Sequence, residues 1–429
     1  MKGWIKIGLL MAGAVMAGGC ALEPFRPLPE TGPGEVSASV EAKLGERLFP
    51  WTVQKLGGSY SDPELRTALE AILRKLSDGF PCHLQVLNHS RPAALVFPGG
   101  FIGLTRGLLL ELEEAPLVAA VLAHQIGHLQ AGHLGQALRE RSFAGGLEAQ
   151  LRLEAAGRTD PDYGEEVAAL LETGAALQGW SFSPRQEREA DDLAVPLLRK
   201  AGYDPRALPR AMKILRQGAT SSSPWPEKTT GWQRHVRTEE PGTPPLEAAG
   251  LRGTAPRRPS AADAGFALWH ARASREAAGY LLCDQALRLE SQGNSRAAVG
   301  AYLQAAAVLP DEPLVLARLG LVYLQEEDLR NARFHLERAL MFDPHRHPAH
   351  LGLGFIHLAH KEYPAARKRL ETAMELLPTL QGAYLLGSAW EGEGDRGRAA
   401  RLFSQVAGAD AGGKLGRAAA NRLKGLKGF

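Results

Sequence analysis

Pro310, Pro344 and Pro378 stand 34 residues apart, and other positions keep the same step. Ala298, Ala332 and Ala366 recur in that frame, as do Ala305, Ala339 and Ala373. Tyr302, Leu336 and Leu370 fill one large apolar slot, and Gly320 and Gly354 share a small one. A period of this length describes a pair of antiparallel helices, with small residues where they cross and proline after the second helix. One such pair cannot bury its apolar face alone, so copies must stack on one another. A fourth copy runs from Leu380 through Gly387, Trp390, Ala399 and Phe403, one residue shorter in phase. This half of the chain is therefore constrained to an elongated all-α stack.

The pattern resembles the tetratricopeptide repeat (TPR), which implies a solenoid whose concave groove holds peptides or proteins and does no chemistry itself. The repeats are expected over 263–412, followed by a C-terminal tail over 413–429. Ahead of them, 218–262 loses periodicity and gathers Pro224, Pro226, Pro241, Pro244, Pro245, Pro256 and Pro259, as a linker does. The stretch 41–217 carries mixed patterns, with strands expected at CHLQVLNH and AALVF, a turn at Pro98-Gly99-Gly100, and a long helix from Glu114 to Leu138. The fold class expected is α+β, a mainly helical domain followed by an all-α solenoid. Lys+Arg 50 against Asp+Glu 47 leaves +3 with no basic block, which gives no footing for nucleic acid. A hydrophobic share of 45% and a charged share of 23% exclude a disordered polyelectrolyte and a multi-span membrane protein.

At the N-terminus, Lys2 and Lys6 precede a short apolar run that ends in Ala17-Gly18-Gly19-Cys20. As a helix the run from Ile7 to Gly19 rises only about 20 Å, too short for a bilayer, and it reads as an export signal over 1–19. The ending resembles the bacterial lipoprotein signal, which implies lipidation of Cys20, although Ala17 stands where that family usually has Leu. Ala21 after Cys20 implies sorting to the outer membrane, with 20–40 as a tether. A plain cleaved signal with a chance cysteine is the other reading. With Cys82 and Cys283, the chain has too few cysteines for a disulfide scaffold; a bridge between those two stays open.

The chemistry centres on Ala123-His124-Gln125-Ile126-Gly127-His128. Residues four apart on a helix lie about 40° apart one turn up, so His124 and His128 can grip one ion. Gln125 stands where the zinc-peptidase motif H-E-x-x-H has its glutamate. His133, five residues on, is offset by about 140° and is expected to point away from the metal face. His345, His347, His350, His357 and His360 crowd one repeat and read as loop and surface histidines rather than a second metal site.

Around the histidine pair, PAALVFPGGFIGLTRGLL precedes the helix, and SPRQEREADDLA and AGYDPRAL follow it. In this order the blocks resemble the HtpX and CAAX-prenyl-protease family of zinc metallopeptidases over about residues 80–215. With the repeats behind, the arrangement resembles the BepA-type periplasmic peptidase–TPR lipoproteins of outer-membrane quality control. The resemblance implies a zincin-type (gluzincin) domain with Zn²⁺ held by His124, His128 and Glu187. It also implies that Asp191 orients a ligand imidazole, with Glu189 the rival for the third ligand position. It implies partners among envelope proteins or the outer-membrane assembly machinery, bound through the TPR groove.

In that family the glutamate beside the first histidine takes a proton from the attacking water and passes it to the leaving amine. Gln125 keeps its shape, but a neutral amide accepts no proton at pH 7. Pro92-Ala93-Ala94-Leu95 also replaces the family's Asn-Ala-Phe, and the later Thr-His-Pro block has no clear match, with the role of His235, the one histidine of the linker, left open. Two function classes follow. One is a pseudopeptidase or strongly impaired peptidase that binds envelope proteins; the other is an active zinc metalloendopeptidase that degrades misfolded ones.

Overall fold

The computed structural model describes residues 38–140, 182–220 and 259–427. The sequence expectations for the signal, Cys20, most of the tether, His235 and most of the linker lie outside the described residues. Helix α1 (Ala38–Lys55) is followed by α2 (Pro63–Ser77) and strands β1 (His83–Leu87), β2 (Ala94–Phe97) and β3 (Phe101–Thr105). Then come α3 (Arg106–Leu112), α4 (Ala115–Gln130), α5 (His133–Glu140), α6 (Pro184–Lys200) and α7 (Ala207–Thr220).

Local chemistry sets these boundaries. Asp62 caps α2 by accepting from the Leu65 N–H, and Pro63 stands in the first turn, where its missing N–H costs nothing. Leu65, Ala68, Leu69, Ile72, Leu73 and Leu76 then form its buried stripe. The sheet has the order β1-β3-β2, with β1 parallel and β2 antiparallel to β3. Its two expected strands are present, and the residues after the Pro98–Gly100 turn form β3 between them. Ala94, Ile102 and Leu104 face the core built by α2 and α4, while Leu95 and Phe97 face Phe49 and Trp51 of α1. Both faces are covered, which is why β2 is an unbroken apolar run. Helix α4 is buried on all sides from Leu117 to His128, the pattern of a helix through the middle of a core.

The second half is all helix: α8 (Ala261–Ser291), α9 (Ser295–Val308), α10 (Pro313–Gln325), α11 (Leu329–Phe342), α12 (His347–Ala359), α13 (Tyr363–Leu376), α14 (Leu380–Glu393), α15 (Arg396–Ala409) and α16 (Lys414–Lys427). The repeated small slot has a packing reason. A Cβ on Gly320 would lie 2.6 Å from Leu336, and one on Gly354 would lie 2.6 Å from Leu370, so successive helix pairs cross at the same spot. The stretch 413–429 holds α16, which packs on α15. Among the described residues, no helix is long and apolar enough to cross a membrane.

The two halves are fused through α8. Phe266, Trp269 and Ala273 belong to the core of the first half, whereas Tyr280, Cys283 and Leu287 belong to the first repeat. Beside this helix lies a buried polar cluster. Arg106, 2% exposed, donates to Asn88 Oδ1 at 3.2 Å and Ser90 Oγ at 3.0 Å, and its guanidinium lies 3.4 Å from the Tyr280 ring centre. Ser90 Oγ donates to Asp284 at 3.0 Å, and Asn88 donates to Glu312 at 2.9 Å. Cys82 and Cys283 are both free thiols.

Candidate metal centre

His124, Gln125 and His128 occupy one buried turn of α4, each 0% exposed. Glu187 and Asp191 lie four residues apart on α6, also buried. Ser183 caps α6 in a reciprocal box with Gln186, and Pro184 opens it, which puts the Glu187 carboxylate in the first turn, where the helix dipole favours negative charge. The two helices meet backbone to backbone. A Cβ on Gly127 would stand 2.5 Å from the Ala190 carbonyl oxygen, so only glycine permits this approach.

That contact gathers three donors. His124 Nε2 and His128 Nε2 are 3.0 Å apart, and the Glu187 carboxylate oxygens lie 3.6 Å from each. Among the described residues this is the group whose atoms lie within 4.8 Å of one another in the manner of metal ligands. Asp191 Oδ1 lies 2.9 Å from His124 Nδ1. A carboxylate only accepts, so His124 carries its proton on Nδ1 and turns the Nε2 lone pair toward Glu187 and His128.

The helix expected from Glu114 to Leu138 is interrupted. It ends at Gln130, Gly132 takes φ +66°, and a second helix starts at His133. The chain therefore turns between the two helices, and the angular offset of an unbroken helix does not apply. His133 is buried with its Nδ1 3.0 Å from His128 Nδ1, and its Nε2 lies 3.4 Å from Glu189. It packs behind His128, on the side away from the donor nitrogens, in a contact that an unbroken helix would not make. Phe182 lies on the face of the His128 ring, with centres 3.5 Å apart and planes 27° apart.

Residues 60–258 match the model of peptidase family M48, and 323–388 match a tetratricopeptide repeat. The chain carries an M48 peptidase domain followed by TPR repeats. The chain is similar to the beta-barrel assembly-enhancing protease of Escherichia coli (strain K12), 30% identical over 216 residues, which cover 46% of this chain and 42% of that one. It is also similar to the mitochondrial metalloendopeptidase OMA1 of Arabidopsis thaliana, 30% identical over 32% of this chain and 26% of that one. The metalloprotease LoiP of Escherichia coli (strain K12) is 30% identical over 32% of this chain and 53% of its own length. The chain thus spans less than half the length of the beta-barrel assembly-enhancing protease it matches. Among solved structures, MamA is 20% identical and covers 33% of this chain at a TM-score of 0.27, a likeness too slight to carry an argument.

Within the M48 domain the donor set fits a small borderline cation. Bonds of about 2.0–2.1 Å at tetrahedral angles separate donors by roughly 3.3 Å; here the two imidazole nitrogens are 3.0 Å apart, and each has one Glu187 oxygen at 3.6 Å. The pocket also attracts positive charge. Burial opposes a charge on His124, but the hydrogen bond to Asp191 and the charges of Glu187 and Asp191 outweigh it, and its pKa stands above the ordinary 6.5. Burial pushes the His133 imidazole below 6.5, only partly offset by Glu189, which favours its neutral form.

Glu187, and not Glu189, reaches the histidine pair; the Glu189 side chain is 51% exposed and turned to His133. Of the repeat histidines, His347 and His350 are buried rather than on the surface, and His350 Nε2 lies 2.8 Å from the Pro344 carbonyl oxygen. Sequence reasoning missed the roles of Phe182 and His133. The glycine before His133 was the available signal for a helix break; nothing in the sequence marks Phe182.

Proposed function

We propose that the chain is a zinc-binding pseudopeptidase, or strongly impaired peptidase, of the bacterial cell envelope. Its M48 domain, 41–217, holds Zn²⁺ through His124, His128 and Glu187. Its repeats, 263–412, hold envelope proteins for quality control or for outer-membrane assembly. The name of its relative, a beta-barrel assembly-enhancing protease, supports the client class. The lipoprotein-like N-terminus supports anchoring through Cys20 at the periplasmic face of the outer membrane.

The observation that carries the reading is Gln125, buried on the same helical turn as the two donor imidazoles. Zinc, when bound, supplies a Lewis acid that polarises a peptide carbonyl and acidifies a water. The chain itself must then supply a base. The Gln125 amide can donate and accept hydrogen bonds, but it has no site basic enough to hold a proton at pH 7. Loss of a general base typically costs about 10²–10⁴-fold in rate. Asp191 meanwhile keeps the His124 proton on Nδ1, so binding and orientation survive where proton transfer does not.

The intact donor set is what favours the second reading, an active zinc metalloendopeptidase that degrades misfolded envelope proteins. Purified protein incubated with an unfolded outer-membrane β-barrel protein separates the two. The expected result is about one zinc per chain by metal analysis and a retained, uncleaved client. Absence of zinc even after dialysis against it overturns the metal assignment.

A further inference from the structure

We propose that His133 and Glu189 form a second imidazole–carboxylate arm that holds His128 in its metal-facing orientation, as Asp191 holds His124. This rests on His124, His128 and Glu187 being the metal donors.

The hydrogen-bond directions follow from His128 holding the metal through Nε2. Glu189 as a carboxylate accepts, so the His133 nitrogen 3.4 Å from it, Nε2, carries the hydrogen. His128, holding the metal through Nε2, carries its own hydrogen on Nδ1, so the facing His133 Nδ1, 3.0 Å away, is the acceptor. The His128 Nε2 lone pair lies 3.0 Å from His124 Nε2 and 3.6 Å from Glu187. Both donor imidazoles thus carry their protons on the far nitrogen, one fixed directly by a carboxylate and the other through a second imidazole. Phe182, stacked on the ring face, resists tipping while His133 fixes the ring edge.

His133 is a positioning residue here, since it lies behind His128 and reaches Glu189 instead of the donor point. The break at Gly132 is what makes this possible, because a continuous helix would carry position 133 around to another side. Glu189 gains a use that its place beside Glu187 in sequence does not suggest. It anchors the arm at the surface.

The test is zinc affinity of the full chain, measured by competition with a chromophoric chelator, with the visible spectrum of the Co²⁺-loaded protein as a second readout. His133→Leu should weaken zinc binding about 10–100-fold and shift the cobalt bands, since His128 loses its fixed tautomer. His133→Asn, whose side-chain oxygen stands near the place of Nδ1, should recover most of the affinity and the wild-type spectrum. Glu189→Ala changes a half-exposed side chain and should fold normally; a loss of about threefold or more is expected. If His133→Leu does not fold, Glu189→Ala decides. Wild-type affinity and an unchanged cobalt spectrum in Glu189→Ala and in any folded His133→Leu protein would overturn the arm. Failure of wild type to bind either metal would instead overturn the underlying metal site.

Discussion

Gln125 and glutamate differ in the group that titrates and hardly at all in shape, so the substitution leaves packing intact and changes only what the site can do with a proton. That contrast was legible from the sequence, because two histidines and a carboxamide one helical turn apart need no tertiary information. His133 was not legible in the same way. Its direction depends on a single backbone angle at Gly132, which helical arithmetic assumes away. A second titratable residue allows an independent check on the fold. Glu290 is buried in the first repeat, where Tyr302 donates to it at 2.6 Å. Burial raises its pKa from 4.5 to about 7, against the opposing pull of Arg318 and the Tyr302 hydrogen bond. The folded chain therefore holds this proton through a range where the unfolded chain has released it. The stabilisation is complete below pH 4.5 and is lost as pH rises to about 7, by at most about 3 kcal/mol. Urea unfolding at pH 5 and pH 8 should show wild type losing about 2–3 kcal/mol more than Glu290→Gln over that interval. Equal losses would contradict the buried pair.

At the scale of elements, the site exists because α4 and α6 touch at Gly127 and Ala190. The sequence displays the two helices and their order, but not the contact. A glycine inside a helical pattern is ambiguous until a neighbour is seen against it. The same holds for β3, whose residues were visible as an apolar run after a turn, while its place between β1 and β2 depends on pairing across the sheet. Gly127→Ala puts a methyl group 2.5 Å from the Ala190 oxygen, so α4 and α6 must separate. The expected cost is about 1–3 kcal/mol of stability. The expected loss of zinc affinity is larger than tenfold, because Glu187 moves with α6. Thermal melting and chelator competition check the pair of outcomes. An unchanged melting temperature with unchanged zinc binding would mean that this contact does not set the donor geometry.

For the whole molecule, the boundary expected at residue 263 falls inside one continuous helix. Helix α8 begins at Ala261 in the core of the M48 domain and ends within the first repeat. At roughly 1.5 Å per residue it is about 46 Å long, enough to serve both. The buried Arg106 cluster adds a second connection, and breaking one partner of such a cluster typically costs about 3–5 kcal/mol. The repeats and the His124–His128–Glu187 cluster are therefore held in a fixed relation, and on the proposed reading a protein gripped by the repeats stays beside the M48 domain. The proposed reading makes cleavage there depend on residue 125, and the most direct measurement is zinc-dependent cleavage of an unfolded β-barrel protein. Wild type and Gln125→Glu are compared at equal, verified zinc content. The expected result is little or no cleavage by wild type and measurable, chelator-sensitive cleavage by Gln125→Glu. Robust chelator-sensitive cleavage by wild type would contradict the account, because another group would then be serving as the base.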